Sequence, residues 1–447
     1  MALASRQPSS MTAQAVVDYL AAHQRLEPEL PAPDLPWLVE LRDGGIERLR
    51  VAGFPSLRDE DWRYTNVQSL LKKPFEMGSI GQCDVDAAFV SRTAIPSLEC
   101  YRVVVVNGIP IPHLSDATLV PDGIRVSSLA DLLVSDPGRL EPYLGKNLVP
   151  DPHGFTAMNS AFLGNGLVIE IAPGQVFDKP LEIIFVASAA TESTMAQPRN
   201  LVVAGKGSRL QVLARYVAIG AQATLTNVVT EVIVDADAHL TLYQLQEESK
   251  NSFHIGGLFA KLRRGSRFDA FAITLAGGFV RNDLRVDLDG AGAEVNLRGL
   301  YLARGRQHID NHTQIFHNEP GCISHEHYKG VLDDRARAVF HGRIVVQPDA
   351  QKTVSEQSNQ NLLLSRDAEI DTKPQLEIYA DDVKCAHGAT VGQLDKEALF
   401  YLRSRGIAEE AAKRLLIKAF ASDVLLAVSP DSLREHLLTR VEMMLAD

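Results

Sequence analysis

A cysteine and a histidine stand two residues apart in Val383-Lys384-Cys385-Ala386-His387-Gly388-Ala389-Thr390. Side chains alternate between the faces of an extended strand, so Cys385 and His387 would share one face. Sulfur and imidazole nitrogen together suit iron or zinc better than calcium or magnesium. Out of context, such a pair could equally be a small buried thiol and a hydrogen-bonded core histidine, so the surrounding sequence has to decide. A second concentration lies upstream. His308, His312, His317, His325, His327 and His341 are six of the chain's 13 histidines and fall within 34 residues, with Cys322 among them. His325-Glu326-His327 would put two imidazoles on one strand face. The spacing does not force convergence on a single ion, and a stretch this rich in Asn, Asp and Gln can also form polar turns that bind nothing.

Other catalytic machinery is missing from the sequence. Gly205-Lys206-Gly207-Ser208 lacks the spacing of a phosphate-binding loop, and neither a G-x-S-x-G elbow nor an H-E-x-x-H helix occurs. The chain is therefore expected to be non-catalytic, with any ATP hydrolysed by a partner. Cys83, Cys100, Cys322 and Cys385 are far apart and form no C-x-x-C pair, which argues against a disulfide scaffold or a four-thiolate zinc site. A formal charge of −11 offers no footprint for nucleic acid or an anionic membrane. No apolar run approaches the ~20 residues that span a bilayer, and the first residues lack a signal-peptide core. The expected compartment is the cytoplasm, with thiols reduced.

The elements that must position these residues fall into three regions. Residues 11 to about 73 read as helical, with Val16, Val17, Leu20 and Ala21 on one face and Leu38, Leu41 and Ile46 on a second helix beyond a link from Pro28 to Pro36. From about Cys100 the texture becomes short strands, the first being Val103–Val106 before an Asn107-Gly108 turn. Small residues that follow a turn residue and precede an alternating strand recur at Ser208, Ala223, Ala238, Ser266, Ala293, Ala338 and Ala368. Their gaps are near multiples of about 14 to 15, as expected when one rung of a β-solenoid holds two strands and two turns. An antiparallel sandwich also gives evenly spaced short strands. After Asp395, a helix cap, the pattern is helical again to the end. A terminal bundle there is expected to cap the open end of the solenoid and to show one apolar face to a partner, with Leu416, Phe420 and Val424 as candidates for docking.

The run Pro374-Gln375-Leu376-Glu377-Ile378-Tyr379-Ala380-Asp381-Asp382, the K-C-x-H-G-A-T block and Ala398-Leu399-Phe400-Tyr401-Leu402-Arg403-Ser404-Arg405-Gly406-Ile407 together resemble the SufB/SufD family of the Suf iron–sulfur cluster assembly system. Asn361-Leu362-Leu363-Leu364-Ser365 and Glu60-Asp61-Trp62-Arg63-Tyr64-Thr65 add to the resemblance. SufB-like chains carry H-E-A-[ST] and Q-C-D-S where this one has His387-Gly388-Ala389-Thr390 and Gln357-Ser358-Asn359-Gln360, so the likeness is to the D-type partner. The resemblance implies a mainly β fold, a right-handed parallel β-helix over residues 99–394, flanked by helical regions at 1–98 and 395–447. It implies a scaffold that pairs with SufB, docks the ATPase SufC and shares a nascent, transient Fe–S cluster with SufB. A homodimer of the isolated chain fits as well, and flavin is left open. His387 would be the cluster ligand or proton handler, with Cys385 second to it. Two rival readings are a β-helix carbohydrate-active enzyme and a mononuclear metalloenzyme using His308–His341.

Overall fold

The computed structural model describes residues 10–79, 85–116, 120–148 and 153–445, so Cys83 lies outside the described residues. From Arg209 onward the chain alternates between two parallel sheets and closes into a β-solenoid of about eight turns. One sheet carries Arg209–Ile219, His239–Glu247, Arg267–Thr274, Glu294–Ala303, Ile323–Leu332, Val354–Leu363 and Lys384–Gly392, so its strands recur every 27 to 31 residues. The other carries Thr224–Val234, Ser252–Leu262, Phe279–Leu288, His308–His317, Arg337–Val346 and Glu369–Ile378.

Corner chemistry sets the period. The residue two places before successive strands of the first sheet has a left-handed backbone at Gly207, Asp237, Gly265, Gly292, Gly321 and Lys352. Glycine and aspartate tolerate that region most readily, and a small residue follows them into the tight corner. Cys322 fills one such corner, buried, its Sγ 3.4 Å from the Gly290 carbonyl, and its thiol is pushed up by burial. Ala338 does not fit the expected repeat: it is already inside its strand, and the corner residue is Ala336.

Apolar side chains fill the interior through most of the rungs. Toward the last rungs the filling turns polar: in register, Val295, Ser324, Ser355 and Cys385 form one column, and Leu297, Glu326, Gln357 and His387 the next.

The helices Ser10–Leu26, Pro36–Ala52 and Gly154–Ala161 pack together against the flank of the solenoid. A Cβ on Gly45 would lie 2.7 Å from the Ala157 carbonyl, so glycine there permits the close helix crossing. The buried face of the first helix is Ala15, Val16, Tyr19 and His23; Val17 and Ala21, expected inside, face solvent because the stripe follows i, i+4 from Ala15.

Lys396–Ser404 begins with Asp395 Oδ1 accepting the Glu397 amide at 2.8 Å. Glu409–Leu425 and Asp431–Met444 follow. Ile417, Ala421, Val424 and Leu425 bury against Leu245, Leu300, Leu302 and Val331 on the outer face of the first sheet. The terminal bundle thus covers the side of the solenoid and leaves its last rung uncapped, contrary to expectation. The outer face of that sheet offers Leu245, Leu300, Leu302 and Val331, and burying them against the helices supplies the driving force. Among the described residues no helix is long and apolar enough to cross a membrane.

Candidate functional site

Lys384–Gly392 is the terminal strand of its sheet, paired only with Val354–Leu363, so one row of its backbone groups has no neighbouring strand. Cys385 and His387 share a face, as alternation requires. Cys385 is half-buried against the core and burial raises its thiol, which keeps it protonated near neutral pH. His387 is exposed and makes no hydrogen bond or ion pair among the described residues. Its imidazole is open to a ligand or metal ion from outside.

Beneath His387 in the same column lie Gln357 and Glu326. Gln357 Nε2 donates to Glu326 Oε2 at 2.6 Å. Burial pushes the Glu326 carboxyl up to about 7. A Cβ on Gly342 would lie 2.2 Å from Gln357 Nε2, so the facing strand makes room for this amide with a glycine. Glu326 Oε1, Gln357 Oε1, Thr313 Oγ1 and Asn311 Nδ2 are buried without hydrogen-bond partners. Groups of that kind are commonly satisfied by internal water. The interior under His387 is therefore polar and protonatable. Sequence reasoning missed Glu326 because only the register shows that it points inward.

The six upstream histidines do not converge. His317 points into the solenoid, with Nε2 2.9 Å from Ser324 Oγ and its pKa lowered to about 4 by burial. His325 and His327 share one outer face as expected, but His325 approaches Glu356 and His327 binds Asp423 at 3.0 Å. That contact and Lys329 Nζ to Asp423 at 2.8 Å pin the helix Glu409–Leu425 to the solenoid. His308 hydrogen-bonds Thr65 at 3.0 Å on the opposite sheet. Only His312 and His341 come together, with Asp61 beside them.

The Glu60–Thr65 segment is a strap across that second sheet. Fully buried Arg281 reaches the Asp61 carbonyl at 2.7 Å, Asp310 at 2.6 Å and Asp283 at 2.7 Å, and lies 3.8 Å over the Trp62 ring. Lys373 binds Glu60 at 2.8 Å. Of the expected docking residues, Val424 is fully buried within this chain, Phe420 is half-buried under Lys329, and Leu416 is half-buried. The exposed large apolar residues of the helical region are instead Phe400, Tyr401, Leu415, Leu426 and Met443.

Residues 185–420 match the family model described as the SUF system FeS cluster assembly, SufBD core domain, and residues 13–183 match the SufBD protein N-terminal region. A SufBD family iron–sulfur cluster assembly protein of Synechocystis is 31% identical over 90% of this chain and 89% of its own length. The iron–sulfur cluster assembly protein SufD of Escherichia coli is 31% identical over 89% of this chain and 90% of its own, and that of Bacillus subtilis 26% identical over 68% and 70%.

Proposed function

The chain belongs to the SufBD family of the SUF iron–sulfur cluster assembly system, and from that premise we propose that it acts there as a D-type scaffold subunit. In this reading it joins a SufB-type partner through its last rung and contributes His387 to the place where the nascent cluster forms. The observation that carries it is an exposed, unpartnered imidazole on a terminal strand with one free edge. Imidazole ligates iron or moves protons near neutral pH, and a ligand set left incomplete until the partner arrives would keep the cluster transferable. Cys385 is the weaker contributor, since its raised thiol must lose a proton before it can bind metal. A SufC-type ATPase would dock on the C-terminal helices, where Phe400 and Tyr401 supply exposed apolar surface. The family leaves the carbohydrate-active reading without support.

The test is His387→Ala in the chain co-purified with SufB- and SufC-type partners. The variant should keep its thermal midpoint and subunit stoichiometry, because His387 is exposed, while iron and acid-labile sulfide per complex collapse. Cys385→Ser should produce a smaller loss. A normal cluster yield from His387→Ala would refute the assignment. The chain alone, free of contaminating ATPase, should hydrolyse no ATP.

A further inference from the structure

On the sheet that does not carry His387, the strap, the start of the helix Gly154–Ala161 and the outer faces of five strands line a cleft of about 830 Å³. His312 and His341 are register partners on adjacent strands, their rings 4.8 Å apart and edge to face. Asp61 comes from the strap, and one ligand atom from each of the three residues lies within 4.8 Å of the other two.

Each imidazole already has an outer partner on one nitrogen. His341 Nε2 is 2.6 Å from Gln375 Oε1, which can only accept, so Nε2 carries the proton and Nδ1 presents a lone pair. His312 Nε2 lies 3.1 Å from Asp310 Oδ1, an ion-pair contact without the alignment of a hydrogen bond. Asp310 is held in turn by Arg281 at 2.6 Å and by Thr65. An outer oxygen that fixes the tautomer and orientation of the ring, as Gln375 does for His341, is what metal-ligating histidines have.

The inner contact is a poor hydrogen bond. His341 Nδ1 and Asp61 Oδ1 are 3.8 Å apart, beyond ordinary hydrogen-bond length. Two ligands on a tetrahedral ion, each about 2.1 Å from it, stand about 3.4 Å apart. A gap of 3.8 Å is therefore close to what an ion between them requires, and Asp61, being exposed, can move to close it.

We propose that Asp61, His312 and His341 form a site for one divalent transition-metal ion of borderline softness, ferrous iron or zinc, with its remaining positions open to the cleft. Two imidazoles and a carboxylate around an open coordination sphere suit these ions and not magnesium or calcium. The site is independent of the cluster-assembly role given to His387.

The test uses full-length protein stripped with a chelator and titrated anaerobically with ferrous iron, zinc or magnesium, each alone, with binding read by equilibrium dialysis and metal analysis. Iron or zinc should bind at about one equivalent. Asp61→Asn, at an exposed side chain, and His341→Ala should each weaken it at least tenfold. Gln375→Leu, which touches no metal, should weaken it by about 10- to 100-fold. In a His387→Ala background, Asp61→Asn should still remove the bound equivalent, which separates this site from the proposed assembly site. Failure of the wild-type chain to bind iron or zinc, equal binding of magnesium, or undiminished binding by Asp61→Asn would each overturn the proposal.

Discussion

Glu326 is the residue whose behaviour departs most from its sequence context. In His325-Glu326-His327 it looks like a surface carboxylate between two imidazoles, yet it points into the solenoid while both neighbours point out. Desolvation raises its carboxyl from 4.5 to about 7. Below the unfolded value both states hold the proton and Glu326 contributes no pH dependence. As pH rises through the interval the unfolded chain releases the proton and the folded chain keeps it, so stability falls until the folded carboxyl ionises too. A difference of that size corresponds to at most about 3 kcal/mol. Glu326→Gln keeps the shape and an oxygen for Gln357 but carries no charge. Its stability relative to wild type should rise between about pH 5 and pH 8, by up to about 3 kcal/mol. Urea unfolding at the two pH values measures this; parallel curves would mean that the carboxyl is solvated.

At the scale of elements, two segments that read as appendages prove to be fastened to the solenoid. Arg281 fastens the strap, and its loss would leave Asp310 and Asp283 buried without their main counter-charge. Arg281→Met should cost about 3–5 kcal/mol, visible as a lowered denaturation midpoint together with new proteolytic cleavage near residues 59–65. The C-terminal helices are fastened by apolar burial, as Val424 and Leu437 are fully buried with Leu300. Deleting residues from 408 onward should therefore yield an aggregating protein, because Leu245, Leu300 and Val331 would meet water. Phe400→Asp tests docking more cleanly. At 73% exposure Phe400 contributes little to folding, so the thermal midpoint should hold while affinity for the ATPase partner drops, as read by titration calorimetry. Helical spacing announced that this region has an apolar face, but could not say whether that face meets the solenoid or a partner.

Across the whole molecule, legibility follows the range of the interaction. Ser208, Ala238, Ser266 and Ala293 marked the rungs because corner geometry is local and demands small residues beside left-handed ones, while Ala223 and Ala368 directly precede strands of the second sheet. The repeat slipped at Arg335-Ala336-Arg337-Ala338, where two alanines compete for one corner and only register chooses Ala336. Cys385 and His387 were visible because their relation is local as well. Asp61 with His341, and the column from Glu326 to His387, depend on folding across many residues, and no spacing encodes them. Register also exposes an asymmetry between the ends of the solenoid. The early rungs are flanked by N-terminal helices, whereas Glu369–Ile378 and Lys384–Gly392 end their sheets side by side, with Ile378 at 41%, Tyr379 at 60% and Val391 at 49% exposure. Two unpaired strand edges rimmed with apolar groups form a template for another rung. The isolated chain should therefore self-associate through this end, and a SufB-type partner should compete for the same surface. Val391→Lys places a charge there without disturbing a buried group, so the thermal midpoint should stay within a few degrees of wild type. Analytical ultracentrifugation should show a dimer for the wild-type chain, a monomer for Val391→Lys, and loss of partner binding in the same variant. A wild-type chain that stays monomeric, or a variant that still pairs, would mean that the open end is closed by something other than strand addition.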